Sequence, residues 1–213
     1  MILYDYYRSS ASYRVRIALN LKLINYESRS VNLLKAEQLS EAHQALNPQQ
    51  LVPVLVDNGD KYTQSLAICE YLDEAYPSTY PLLVGDAPLR CSIRAFSQAI
   101  ACEVHPINNL RILKYLETAL DHGEAVKKQW YQHWVNKTFS ALELQLEQRS
   151  IQHPFCFAKQ PTLADVCLIP QIYNARRFDI NMQTYPKLLE IEHQCQQLEA
   201  FNQAHPENQV SGE

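Results

Sequence analysis

Apolar residues change their spacing along this chain, and each change marks an element. Residues 2–6 form a short β-prone run, and residues 8–12 form a polar turn. From Tyr13 onward, Val15, Ala18, Leu19 and Leu23 recur at helical spacing. Residues 26–33 alternate weakly and predict a second strand. Residues 39–46 predict a short helix, stopped at Asn47-Pro48 because the residue before a proline is pushed out of the α region. Residues 51–57 are the next β-prone run, and Asn58-Gly59 supplies a tight turn into Lys61-Tyr62-Thr63. Ser65 opens a helix that runs to Ala75 and ends before Pro77. The order βαβαββα predicts a small mixed sheet flanked by helices.

After Pro77 the pattern changes. Residues 78–88 read as a linker carrying Pro81, Gly85 and Pro88. Beyond it the periodicity is almost wholly helical. One long helix or two abutting ones cover residues 89–120, and another covers 125–149, with Trp130, Trp134, Ala141, Leu142 and Leu146 expected on its buried stripe. A third covers 163–177 and a fourth lies within 185–201. The expected fold class is therefore α/β plus all-α, with an α/β domain over residues 1–80 and a helical bundle over 86–213.

The chain has 213 residues and a net charge of −4, which excludes the basic footprint of non-specific nucleic-acid binding. Its four glycines, Gly59, Gly85, Gly123 and Gly212, lie too far apart for a dinucleotide fingerprint or a P-loop. The six cysteines form no Cys-x-x-Cys pair, and the seven histidines show no zinc-ligand spacing, so reduced thiols and no metal are expected. No apolar run approaches the roughly 18 residues of a membrane span. The first residues lack the pattern of a signal peptide, so a soluble cytoplasmic protein is the expectation.

Three segments carry candidate chemistry, and each has a plain structural alternative. Ser9, Ser10 and Ser12 precede or open the first helix. One serine there caps the helix; the same unpaired N–H groups and partial positive charge also stabilise a thiolate. In Leu51-Val52-Pro53-Val54, a cis bond before Pro53 would turn the Val52 N–H and C=O toward an extended peptide, whereas a trans edge proline is the simpler alternative. Gln64-Ser65 either caps the third predicted helix or binds a ligand carboxylate at its start. Thr162 and Asp165 have capping-box spacing, which makes Asp165 structural.

Taken together these segments resemble the glutathione transferase superfamily, and within it the zeta class. The resemblance spans essentially the whole chain. It is carried by Ser9-Ser10-Ala11-Ser12-Tyr13-Arg14-Val15-Arg16-Ile17-Ala18-Leu19, Asn47-Pro48-Gln49-Gln50-Leu51-Val52-Pro53 and Gln64-Ser65-Leu66-Ala67-Ile68. Pro106-Ile107-Asn108-Asn109-Leu110, Ala164-Asp165-Val166-Cys167-Leu168-Ile169-Pro170-Gln171, Asn174-Ala175-Arg176-Arg177-Phe178 and Ala204-His205-Pro206-Glu207-Asn208-Gln209 also match.

The resemblance implies a thioredoxin-like first domain, a helical second domain, a cis Pro53, a glutathione cofactor and a homodimer. Glutathione's cysteinyl backbone would pair with Val52, its γ-glutamyl carboxylate would sit on Gln64 and Ser65, and its sulfur would lie near Ser9 and Ser10. Gln38 and Gln50 fall where the family often contacts the peptide. Tyr7 rivals the serines, since a tyrosine activates the thiol in sister classes. The implied activity is cis–trans isomerisation of maleylacetoacetate, which needs a nucleophile that adds to the double bond and leaves again. Maleylpyruvate isomerisation, general glutathione transfer and a non-catalytic binding role are the alternatives.

The substrates that the resemblance implies are dicarboxylates, which call for fixed positive charge, best given by arginine. The resemblance makes Arg177 the leading carboxylate binder and a candidate catalytic residue, the alternative being an arginine that interacts with the dipole at a helix C-terminus. Arg8 follows, with His105 and Asn108 as further substrate contacts. Arg176 is expected to face solvent. Ala11 stands where the family often has cysteine, so any step needing a protein thiol there is excluded.

Overall fold

The structure is a computed structural model that describes residues 1–209; the last four residues of the expected second domain lie outside the described residues. Two compact units divide the chain, Met1–Leu83 with the segment from Gln196, and Val84–Cys195. In the first unit, β1 (Ile2–Asp5), α1 (Ser10–Leu21), β2 (Glu27–Ser30), α2 (Glu41–Gln44), β3 (Val54–Asp57), β4 (Asp60–Thr63) and α3 (Ser65–Ala75) follow the predicted βαβαββα order. The sheet order is β2-β1-β3-β4, with β1 parallel to β2 and antiparallel to β3. This is the thioredoxin-like arrangement that the resemblance implied.

The β-branched and leucine positions explain the core. Leu3, Val54 and Leu55 of the two central strands are fully buried, as are Val15, Ile17, Ala18 and Leu19 of α1 and Ile68 and Leu72 of α3. Every residue of β2 is exposed, as its sequence Glu-Ser-Arg-Ser and its edge position require. The β3–β4 turn is the Asn58-Gly59 hairpin, with both residues at positive φ (49° and 93°).

α1 begins three residues earlier than its apolar spacing suggested. Ser9 is the cap and Ser10 to Ser12 are already helical, so the polar segment is helix rather than turn. The C-terminal segment also departs from the expected division. α10 (Glu199–Ala204) packs on α1, with Asn20 Nδ2 donating to the Ala200 carbonyl (3.1 Å) and Arg16 Nε to the Ala204 carbonyl (3.0 Å). Helical periodicity predicts that an apolar face will be buried; it does not name the partner.

The second unit is helical. α4 (Ala87–Gln98) continues through a π turn (Ala99–Val104) into α5 (His105–Ile107), and α6 (Leu110–Thr118), α7 (Glu124–Glu147), α8 (Leu163–Arg177) and α9 (Pro186–Gln196) complete it. The expected 89–120 helix is thus three helices and a π turn. Pro106 has no N–H to give to a regular ladder, and the His105 N–H bonds the Ile100 carbonyl five residues back. Along α7 the buried stripe is Tyr131, Val135, Phe139, Leu142 and Leu146. Leu142 and Leu146 were expected there; Trp130 and Trp134 are half-buried and Ala141 is exposed. The two tryptophans meet edge to face at 5.9 Å, and Trp130 Nε1 donates to the Ile107 carbonyl (3.0 Å). Among the described residues no helix is long and apolar enough to cross a membrane, and no group of His, Cys, Asp and Glu could hold a metal.

Candidate functional site

Register places the candidate residues of the first unit at one end of its sheet. Tyr4 pairs with Val54 and Val54 with Thr63, while Asp5 pairs with Ser30 in parallel. The segments leaving β1, β2 and β4 and the segment entering β3 therefore meet there. They carry Ser9 and Ser10, Gln38, Gln64 and Ser65, and Gln50 to Pro53 respectively. Sequence spacing cannot show this convergence, since only strand pairing brings residues 9, 52 and 65 to a common edge.

Ser9 has extended backbone, and its Oγ accepts from the Ser12 N–H at 3.2 Å. The cap is real, yet it uses only the oxygen; the hydroxyl proton is still available to an acceptor outside the helix. Ser10 is buried in the first turn. Capping and thiolate stabilisation are thus compatible at this helix start, where the dipole and the first N–H groups favour an anion. Tyr7 is half-buried, and exposed Arg8 stacks on its ring with the guanidinium 4.8 Å from the centroid.

The Val52–Pro53 bond is cis, as the resemblance implied. Pro53 is buried and Val52 half-buried, and the Val52 N–H and C=O have no partner among the described residues. Nearby backbone is unusual. Gln50 has φ 57° and Gln64 has φ 67° with ψ 111°, conformations that a non-glycine residue adopts only when its surroundings impose them. Gln64 Nε2 donates to Gln49 Oε1 (2.8 Å), tying the two segments together. Gln38 lies in a single 3₁₀ turn, and its Oε1 is buried without a partner among the described residues.

Ser65 is the first residue of α3, 7% exposed, and its Oγ accepts from Arg14 Nη1 at 3.1 Å. The Arg14 side chain comes from α1 and is fully buried. A hydroxyl that accepts from a guanidinium must direct its own proton elsewhere, so Ser65 is set as a donor. Sequence reasoning missed Arg14; its signal was a charged residue in the apolar run after Tyr13. The open Val52 peptide, the unpartnered Gln38 oxygen, the Ser65 hydroxyl and the α1 N-terminus fit a peptide carrying carboxylates and a thiol, as glutathione does.

The remaining candidates lie in the second unit. Asn108 is 6% exposed, and neither atom of its side-chain amide has a partner among the described residues. A buried amide left wholly unpaired costs free energy unless a ligand meets it. His105 is half-buried in α5. Arg177 is exposed on the last turn of α8, with Nη1 donating to Asn174 Oδ1 (3.0 Å). Its charge also reaches Tyr131, whose hydroxyl burial pushes well above the usual range while a Gln171 hydrogen bond and then Arg177 pull it back. Arg176 does not simply face solvent: it forms a forked ion pair with Glu192, which is 5% exposed.

Asp165 is structural, as its spacing predicted. It accepts from Thr162 N (2.7 Å), Thr162 Oγ1 (2.9 Å) and Cys156 N (2.8 Å). Burial raises its pKa, and these hydrogen bonds oppose the rise.

Comparison with known proteins agrees with this geometry. The family profile described as "Glutathione S-transferase, N-terminal domain" matches residues 3–80. The chain is 48% identical over 212 residues to the probable maleylacetoacetate isomerase of Vibrio cholerae, covering 98% of this chain and 97% of that protein. A holo structure of maleylpyruvate isomerase, a bacterial zeta-class glutathione transferase, matches with a TM-score of 0.97 at 42% identity, covering 100% of both chains. The maleylacetoacetate isomerase of Anaeromyxobacter dehalogenans, with dicarboxyethyl glutathione and citrate bound in its active site, matches with a TM-score of 0.86 at 36% identity, covering 99% of this chain and 96% of that one. The chain belongs to the glutathione transferase family, in the zeta class that includes the maleylacetoacetate isomerases.

Proposed function

We infer that the protein is a glutathione-dependent isomerase that converts maleylacetoacetate to fumarylacetoacetate. One observation carries this: Ser9, Val52 and Ser65 converge at one sheet end, in a chain 48% identical to a probable maleylacetoacetate isomerase over nearly its full length. Glutathione, when bound, supplies a thiolate that adds to the activated double bond, frees it to rotate and then departs unchanged.

The protein's own residues bind, orient and stabilise. The Val52 N–H and C=O take the cysteinyl backbone as an added strand. Ser65, with its hydroxyl oriented by Arg14, takes the γ-glutamyl carboxylate together with Gln64. Gln38 and Gln50 contact the rest of the tripeptide, and Pro53 shapes the turn. Ser9 donates a hydrogen bond from its hydroxyl to the sulfur at the α1 N-terminus, which favours the anionic form; Ser10 and Tyr7 are its rivals for that role. Arg177 holds a substrate carboxylate, with Arg8, His105 and the unpaired Asn108 amide as further contacts. Ala11 leaves no protein thiol at the helix start, so the nucleophile is the cofactor's alone.

Maleylpyruvate is the second candidate substrate, favoured by the TM-score of 0.97 to an isomerase of that acid. Rates on both acids, with and without glutathione, separate the cases. Loss of both rates without glutathione supports the inference, and glutathione-independent isomerisation of either acid refutes it. A general transferase would instead consume glutathione stoichiometrically with an aromatic electrophile. Arg177→Ala is expected to raise the KM for the dicarboxylate about tenfold or more, the scale of one charged hydrogen bond, while leaving the KM for glutathione nearly unchanged. Equal loss of both would remove Arg177 from the substrate site. The same proposal includes a cytoplasmic homodimer, which rests on the family resemblance and is tested by sedimentation equilibrium and cell fractionation.

A further inference from the structure

The Val52 N–H belongs to the same peptide group as the Leu51 carbonyl. That peptide is trans, because Val52–Pro53 carries the only cis bond among the described residues. In a trans peptide the C=O and N–H point in opposite directions within one rigid plane. Whatever fixes the Leu51 oxygen therefore fixes the aim of the Val52 N–H.

Two buried side chains fix it. His43 Nε2 lies 3.0 Å from the Leu51 oxygen, and Asn47 Nδ2 donates to the same oxygen at 3.0 Å. His43 is 4% exposed and Asn47 is 3% exposed. A carbonyl oxygen only accepts, so His43 holds its proton on Nε2, and its Nδ1 is buried without a partner among the described residues. Asn47 organises the turn further: its Oδ1 accepts from Gln49 N (3.0 Å) and its carbonyl from Gln50 N (2.9 Å). Donors on both lone pairs of one carbonyl also polarise the peptide, which makes its N–H a stronger donor.

We propose that His43 and Asn47 are positioning residues for the cofactor: by clamping the Leu51 carbonyl they aim and strengthen the Val52 N–H that receives glutathione's cysteinyl carbonyl. This rests on the glutathione reading above. Neither side chain touches the ligand; both act through one backbone plane.

The test is calorimetric binding of glutathione and of an analogue whose cysteinyl carbonyl is replaced by a methylene. His43→Leu removes one donor at similar bulk, and Asn47→Asp turns the other into an acceptor while keeping the bond to Gln49. His43→Gln restores a donor of similar reach. Each of the first two is expected to weaken glutathione binding three- to tenfold and to leave binding of the methylene analogue within twofold of the wild-type value. His43→Gln is expected to recover most of the loss. A general packing defect would instead weaken both ligands by the same factor, and that result overturns the proposal, as does unchanged glutathione affinity in folded His43→Leu and Asn47→Asp. If the wild-type protein itself fails to bind glutathione, the underlying reading falls and takes the proposal with it, an outcome distinct from a failure confined to the variants.

Discussion

A serine can cap a helix and serve a ligand at once, because its oxygen accepts while its proton donates. Ser9 accepts from Ser12 N, and Ser65 accepts from Arg14, so each hydroxyl has a proton free for use elsewhere. The sequence posed these as competing roles; the geometry removes the competition. Ser9→Ala is expected to raise the pKa of bound glutathione by about 1–2 units, the equivalent of one hydrogen bond to a charged acceptor, read by ultraviolet titration of the thiolate. It is also expected to cost about 1 kcal/mol of stability for the lost cap, read by denaturant titration. If the thiol titrates unchanged while stability falls, Ser9 is a cap only and Ser10 or Tyr7 acts on the sulfur. The hydrogen bonds of Arg14 to Ser65 and of His43 to the Leu51 carbonyl were illegible in the sequence. A buried polar side chain looks in sequence like an interruption of an apolar run until its partner, distant along the chain or across a turn, is known.

Helix termini were legible where their signals are local, and buried stripes were less so. Thr162 and Asp165 lie three residues apart, and the box forms as spaced, with the Cys156 N–H as an added donor that no motif announces. Asp165→Ala leaves two buried N–H groups without an acceptor and is expected to destabilise the protein by about 2–4 kcal/mol in denaturant unfolding. A loss under 1 kcal/mol would mean that water or another side chain replaces the carboxylate. In α7 the stripe expected from the tryptophans is shifted onto Tyr131, Val135 and Phe139, because a wide aromatic side chain can pack from the flank while smaller neighbours fill the core. The π turn ahead of Asn108 was likewise unreadable, although Pro106 marked its place.

At the scale of the first unit, one buried arginine joins three parts of the chain. Arg16 is fully buried and pairs with Asp5 of β1 at 2.7 Å, while its other nitrogens donate to the Tyr7 carbonyl at 2.9 Å and the Ala204 carbonyl at 3.0 Å. Asp5 also accepts from Ser28 Oγ at the β2 edge. Arg16→Met strands the Asp5 charge and is expected to cost about 3–5 kcal/mol of stability, with Arg16→Met/Asp5→Leu regaining part of it, measured by chemical unfolding. If the double variant is no better than the single one, the bonds to the Tyr7 and Ala204 carbonyls matter more than the ion pair.

By itself the sequence determined the βαβαββα order, the hairpin turn, the helical character beyond residue 86 and the polar residues with candidate site chemistry. Periodicity, turn residues and caps act over a few positions, and their signals survive in one dimension. Only the tertiary structure decided that residues 9, 52 and 65 share one sheet end, that the last helix returns to α1, and that His43 and Asn47 hold the Leu51 carbonyl while Arg14 holds the Ser65 hydroxyl. Those outcomes depend on which faces pair and which buried donors find acceptors, and such contacts join residues whose separation along the chain carries no record of them.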